Sequence, residues 1–457
     1  MDSKMKSKLI IKILLLVIVA ALGIGMVACN NDGYVDVIDL PEDYDLSPQG
    51  KIKVSTYLRT GADSEMVLEK WIRSYNDRYP NVVVKPEIIA WGDFPTKIAA
   101  GDIGDVYYTA ECDVYNYAIK GKAAMPLDAY IDLMKIDITQ IYTGLYDLGC
   151  YNGYLYMCPS DLSQNVLYTN VTALEESGLS RPPIDWSWET FREYCQRLQR
   201  VEADGTYSQV GLLWGQEFGN CHIFLSGWGG KWCDTVNKKV YLYSDSKVLE
   251  GYSEMMDLIA KGYMCVSGLK GEIGAKYANV TKPTGFVFTL GTYINRVQLF
   301  EQYKEMGVRL DVTSYPCTPV VRVINGGATG FMAYSKTKNP DAAATFALML
   351  LTDEGQEAYN DSLGGGIPIT KHNIEKGNWR IPYANEDFNY DAFVCFPEAF
   401  CASWATCFVP PEIAKILESH LNDIATKYFA NEMDYRDCLS AAEKAVNEKW
   451  ATLYGES

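Results

Sequence analysis

The sequence predicts an α/β fold built on parallel sheets and divided into two or three domain-sized units. Three observations predict it. Strand-like segments alternate with amphipathic helical ones in βαβαβ order near the front of the chain. Hydrophobic residues make up 48% of the 457 residues, enough for full cores. About 430 residues follow an N-terminal leader, more than one core usually organises. Parallel neighbours need helical crossovers, and a ligand crevice is then expected at the strands' carboxyl ends.

The leader covers residues 1–28. Lys4, Lys6, Lys8 and Lys12 form a basic front, Ile13 to Ala28 carries no charge, and small residues precede Cys29. That order is a secretory signal, with an apolar run too short for a confident span. Met26-Val27-Ala28-Cys29 resembles a bacterial lipobox, which implies diacylglycerol (and palmitate-type acylation) on Cys29 after cleavage and a place on the outer face of the cytoplasmic membrane. Residues 29–49 follow as an acidic tether: Asn30 to Gly50 holds six acids, two prolines and no base, and reads as solvated.

In the body, Ile52 to Tyr57 reads as the first strand and Arg59-Thr60-Gly61 as a turn. Leu68, Trp71, Ile72, Tyr75 and Tyr79 then fall at helical spacing, Asp63 or Ser64 can cap, and Pro80 ends the helix. Val82 to Val84 reads as a strand, Pro95 suits a helix start, and Asp105 to Tyr108 gives the third strand. Far downstream, Asn339-Pro340-Asp341 opens a helix to Leu351, and Ile413, Ile416, Leu417, Leu421, Ile424 and Tyr428 line another. His420 shares that face and reads as a packed core residue.

Charge excludes some partners. The leader's four Lys and one Asp carry +3, so the chain from Cys29 onward carries −20 against −17 for the whole, a surface that repels nucleic-acid phosphates. Twelve cysteines follow Cys29 without any Cys-x-x-Cys, and Cys395, Cys401 and Cys407 have no histidine at ligand spacing, so no metal or other cofactor is expected. Most of the cysteines read as buried free thiols.

Several ordered segments carry a family resemblance. They are the opening strand and helix through Tyr79-Pro80, Trp91-Gly92-Asp93-Phe94, Gly101 to Tyr108, Tyr117 to Asp128, Asn152 to Tyr156 leading to Val166 to Asn170, and Trp188 to Phe191. Gly326-Gly327 to Ser335, Asn339 to Ala343, Leu351 to Gln356 and Gly366-Ile367-Pro368 complete the series. In this order over nearly the whole mature length, the chain resembles extracellular solute-binding proteins of bacterial carbohydrate ABC importers, the class of maltodextrin-binding proteins. The resemblance implies a two-lobed periplasmic-binding-protein-like fold, each lobe a mixed sheet flanked by helices, with a hinge crossed several times. Crossings are expected near Cys158-Pro159-Ser160, Tyr315-Pro316-Cys317 and Thr370-Lys371, placing 50–157 with 319–369 in lobe 1 and 160–315 with 372–457 in lobe 2.

A sugar offers an apolar face and a rim of hydroxyls, so its site needs flat rings and planar polar groups. Trp214 stands past Gly211-Leu212-Leu213, and Gln216-Glu217-Phe218 resembles the family order in which the carboxylate takes hydroxyls. Trp228 lies in a glycine-rich loop, Tyr293 occupies the family's glycine-x-tryptophan place, and Trp404 matches a region supplying a stacking ring. From lobe 1, Arg59 and Thr60 follow the first strand, Tyr108, Thr109 and Asp113 the third, Gly327 belongs to the matching late segment, and Trp91 is a lesser candidate that can equally pack its helix. Asp161 and Asn165 lie just past the first crossing; Asp161 can equally cap a helix. Glu217, Asp113 and Arg59 can each also be read as solvated surface charges.

Catalysis has little support. His222, His372 and His420 stand alone, and no phosphate-cradling loop, zinc helix or nucleophile elbow is present. Glu217 with Asp161 or Asp113 could be drawn as a glycosidase pair, but any large acidic protein allows such a choice. The expectation is a monomeric receptor that binds a sugar or oligosaccharide and meets ABC permease subunits. The same fold holding a polyamine, phosphodiester or iron complex, or a glycan-sensing or adhesive surface lipoprotein, stays open.

Overall fold

The structure, a computed structural model, describes residues 38–454 except 39, 42, 59–63, 215–221, 267, 281, 403 and 404. Its front follows the expected order: β1 (Gly50–Thr56), α1 (Ser64–Arg78), β2 (Val82–Ile88), α2 (Phe94–Ala100) and β3 (Val106–Ala110). β1 pairs parallel with both neighbours, Ile52 opposite Val84 and Val54 opposite Val106. Trp71 and Tyr75, one turn apart on α1, are fully buried; the Trp71 ring lies 4.8 Å from Phe331 and 4.1 Å from Phe346. Pro86 is tolerated because β2 is an edge strand. α2 starts with Pro95 in its first turn and ends at Gly101, whose φ of 70° closes the helix with N–H bonds to Ile98 and Lys97.

Three distant strands complete the first sheet: β4 (Met157–Gln164), β10 (Ile324–Ala333) and β11 (Phe400–Ala402). Its order is β11-β10-β3-β1-β2, with β4 beside β10. The second sheet runs β7 (Met264–Val266), β6 (Tyr207–Trp214), β8 (Phe286–Gly291), β5 (Val166–Asn170), β9 (Leu310–Thr313), with a short Arg200–Val201 strand beside β6. Two hydrophobic cores form, one mainly on each sheet, with Val166, Tyr168 and Val312 of the second sheet joining the first core. The helices α3 (Arg296–Glu305), α4 (Pro340–Leu348), α5 (Asp353–Asn360) and α6 (Pro411–Phe429) pack around them.

Around the first two expected crossings the chain stays with its sheet for a few residues more. β4 carries it past Pro159 as far as Gln164; Pro159 sits where the β10 register shifts between Thr329 and Gly330, so this proline marks a bulge. Cys317 and Val320 still bond to the second body, through Trp186 O (2.7 Å) and Gly227 O (3.3 Å), before β10 begins. Past Thr370, Trp379 and Phe393 pack on Tyr293 (5.4 Å each) and Asn389 N–H donates to Asp311 Oδ1 (2.8 Å), so this stretch lies against the second sheet before β11 pairs with β10. Gln164 and Ala402 lie on either side of β10, since Gly326 is the register partner of both.

Two further expectations change. The tether is docked from residue 38: Ile38, Leu40 and Leu46 pack on the first core, the Tyr44 hydroxyl donates to Asp341 Oδ1 (2.7 Å), and Ser47 N–H donates to Asp341 Oδ2 (3.3 Å). His420 is only half-buried, although Ile413, Leu417, Leu421 and Ile424 are core. The described cysteines are all free, and burial pushes thiols such as Cys401 up to about 12. Cys29 lies outside the described residues.

Candidate functional site

The carboxyl ends of β1, β2 and β3 lead into Tyr57, Trp91 and Glu111 along one edge of the first sheet. Strand alternation sorts the side chains there. Tyr108 opposes Phe331, and Thr329, Gly327 and Asn325 of β10 share a face with Asp161 and Ser163 of β4. The Tyr57 and Trp91 rings meet edge-on at 5.8 Å, Trp91 and Tyr108 at 6.1 Å, and Trp91 remains 42% exposed. Tyr108 is fixed beneath: its hydroxyl donates to Thr329 Oγ1 (2.5 Å), and Thr329 donates to Asp161 Oδ1 (3.1 Å).

Two carboxylates follow β3. Glu111 is 6% exposed and accepts the Ala328 N–H on Oε2 at 3.1 Å. A Cβ on Gly327 would come within 2.5 Å of Glu111 Oε1, so the close approach requires glycine. Burial raises the Glu111 pKa to about 7; hydrogen bonds from its own N–H and that of Ala328 oppose this, while Asp113 and Asp161 add to it. Burial also raises the half-buried Asp113. A recess of about 20 Å³ beside Tyr57, Phe331 and Tyr359 has room for about one water, so a ring-sized ligand there requires movement.

The second body closes on this edge. The Ala405–Cys407 turn packs against the Glu111–Asp113 turn, and Lys120 ion-pairs with Glu412 of α6. His222 lies between Trp232 and Phe408, ring centroids 5.1 and 5.3 Å away, with neither ring nitrogen hydrogen-bonded among the described residues. Burial lowers its pKa to about 4, so it is neutral at physiological pH.

Two-body architecture with a polar crevice is compatible with many ligands; the sequence match decides the family. A model of the bacterial extracellular solute-binding protein family matches residues 59–357, well over half of the 457. The chain belongs to this family. Solved structures show the same fold at low identity. The sugar-binding protein MalE of Xanthomonas citri superposes with a TM-score of 0.70 at 14% identity, covering 88% of this chain and 98% of that one. An ABC substrate-binding protein of Listeria monocytogenes in complex with cycloalternan gives 0.67 at 16%, covering 88% and 99%. The GacH receptor of Streptomyces glaucescens, studied with acarbose, gives 0.63 at 18%, covering 88% and 98%.

In this solute-binding protein Tyr108 on β3 and Gly327 on β10 belong to the first sheet, Asn165 bonds to Asn325 of β10, and Asp113 ends the turn that follows β3. Thr109 alternates to the opposite face of β3 and is 2% exposed. Three of the expected stacking rings, Trp214, Trp228 and Tyr293, are buried against other rings. Trp214, 1% exposed, packs against Phe224 and Tyr315; Trp228, 5% exposed, against Trp188 and Phe224. Tyr293 is covered by Trp379, Tyr390 and Phe393, donates its hydroxyl to Trp379 O (2.5 Å), and has the Arg296 guanidinium 3.8 Å from its ring. Arg59, Thr60, Glu217 and Trp404 lie outside the described residues. Sequence reasoning ranked Trp91 low and missed Glu111, Ser163 and Asn325. Only the position of Glu111 directly after the third strand could have flagged it.

Proposed function

We propose that this protein is a lipid-anchored extracellular receptor that binds a sugar or oligosaccharide in the crevice between its lobes and delivers it, unaltered, to ABC permease subunits. The observation that carries the reading is the exposed Trp91 ring, flanked by Tyr57 and Tyr108, at the end of the first sheet where β3 runs on into Glu111 and Asp113. An aromatic platform beside acceptors suits the apolar face and hydroxyl rim of a sugar. Relatives of the same fold are described with cycloalternan and acarbose, which agrees with this chemistry. Lobe closure completes the contacts, and acylation of Cys29 tethers the receptor, which acts as a monomer.

The test is thermal denaturation with a panel of glucose, galactose, mannose, xylose, maltotriose and cellotriose, with putrescine, glycerophosphocholine and ferric citrate alongside. A sugar that raises Tm progressively with concentration, and is recovered unchanged, supports the reading. Stabilisation by a non-sugar alone, or turnover of the sugar, overturns it.

A further inference from the structure

We propose that Asn325 and Glu111 together read two adjacent hydroxyls of the ligand, which makes Asn325 a specificity-determining residue. The inference rests on the sugar-binding reading and names the part of the sugar that is recognised.

Asn325 is 1% exposed, and neither Oδ1 nor Nδ2 has a hydrogen-bond partner among the described residues. Buried amides are normally paired, because a desolvated donor or acceptor left alone is unfavourable. The backbone does not explain the residue: its carbonyl already accepts Asn165 N–H at 2.9 Å, and an apolar side chain could occupy the strand equally well. Position does explain it. Asn325 is two residues before Gly327 on β10, so both share one face, and on that face Gly327 abuts the Glu111 carboxylate. Ser163, opposite Gly327, and Gly327 itself are partly exposed, so this face opens toward solvent beside the second body.

The chemistry of the pair selects the ligand group. An amide offers two donors and an acceptor, whereas an ionised carboxylate offers acceptors only. A hydroxyl can donate to Glu111 and accept from Asn325 Nδ2, and a neighbouring hydroxyl can donate to Asn325 Oδ1. An ammonium group would leave Nδ2 unmet, and a phosphate would be repelled by the carboxylate.

The experiment uses the sugar from the panel above that most stabilises the unaltered protein, together with its single-deoxy analogues. Asn325→Leu should leave ligand-free Tm unchanged or higher, since it removes an unpaired buried amide, while weakening sugar affinity roughly tenfold or more. One deoxy analogue should bind the unaltered protein as poorly as the parent sugar binds the variant, with no further loss when the two changes are combined. A lower ligand-free Tm with unchanged affinity, or fully additive losses, overturns the proposal. If Asn325→Leu does not fold, Asn325→Ala is read by the same measurements. If no sugar shifts the unaltered protein, the sugar-binding reading fails by itself, and a lowered ligand-free Tm in Asn325→Leu would still overturn the unpaired role of the amide.

Discussion

Replacing Glu111 with Gln isolates the electrostatic consequence of burying a carboxylate at the crevice. Glu111 is 6% exposed, and its pKa rises from 4.5 to about 7, mainly by desolvation. A raised folded pKa means that the folded state holds its proton more tightly than the unfolded chain. The stability linked to this group is therefore fully present below pH 4.5 and is lost as pH rises through 7. At 1.36 kcal/mol per pH unit the loss reaches about 3 kcal/mol by pH 8 and is under about 1 kcal/mol at pH 5. Gln keeps an oxygen to accept the Ala328 N–H but carries no charge. Glu111→Gln should thus gain about 2–3 kcal/mol on the parent between pH 5 and pH 8. With an unfolding entropy of about 2.1 cal/mol/K per residue over roughly 420 residues, that is about 3 °C in Tm. Differential scanning calorimetry of ligand-free protein at the two pH values measures it. A Tm difference between variant and parent that is the same at both pH values refutes the reasoning, because it would mean that the carboxylate is solvated or compensated by a cation.

The other predictions concern placement. Trp91→Ala should weaken sugar affinity by about 2 kcal/mol in titration calorimetry with little effect on ligand-free Tm, since the ring is 42% exposed. Trp214→Ala, at 1% exposure, should instead destabilise the protein by about 3–5 kcal/mol in denaturant melts. Tyr44→Phe combined with Asp341→Asn removes the bond that holds residues 38–49 to lobe 1, so limited proteolysis there should accelerate; an unchanged rate means that Leu46 and its apolar neighbours suffice. Saturating sugar should reduce the radius of gyration in small-angle scattering if lobe closure completes the site, and an unchanged radius would place the ligand on one lobe.

The front of lobe 1 was legible because its order is encoded locally. Apolar residues at helical spacing from Leu68 to Tyr79, Pro80 after them, and strand-like runs on either side suffice to draw βαβαβ, and the parallel pairing of Val54 with Val106 follows from the crossovers. The place of Tyr108 in the third strand and of Asp113 just beyond it was equally readable. What an aromatic residue touches was not readable. Tyr293 is sealed by Trp379, Tyr390 and Phe393, residues about ninety positions away, and the tether is held by Asp341. That Pro159 sits at a bulge was not readable either, because it depends on β10, a strand far along the chain. Glu111 owes its raised pKa to burial against Gly327 and its neighbours, and the opposing hydrogen bond comes from Ala328, 217 residues further on. Periodicity and turn chemistry are properties of neighbours in sequence and fix which elements form; burial, face and pKa are properties of neighbours in space, which only the packing of distant segments supplies.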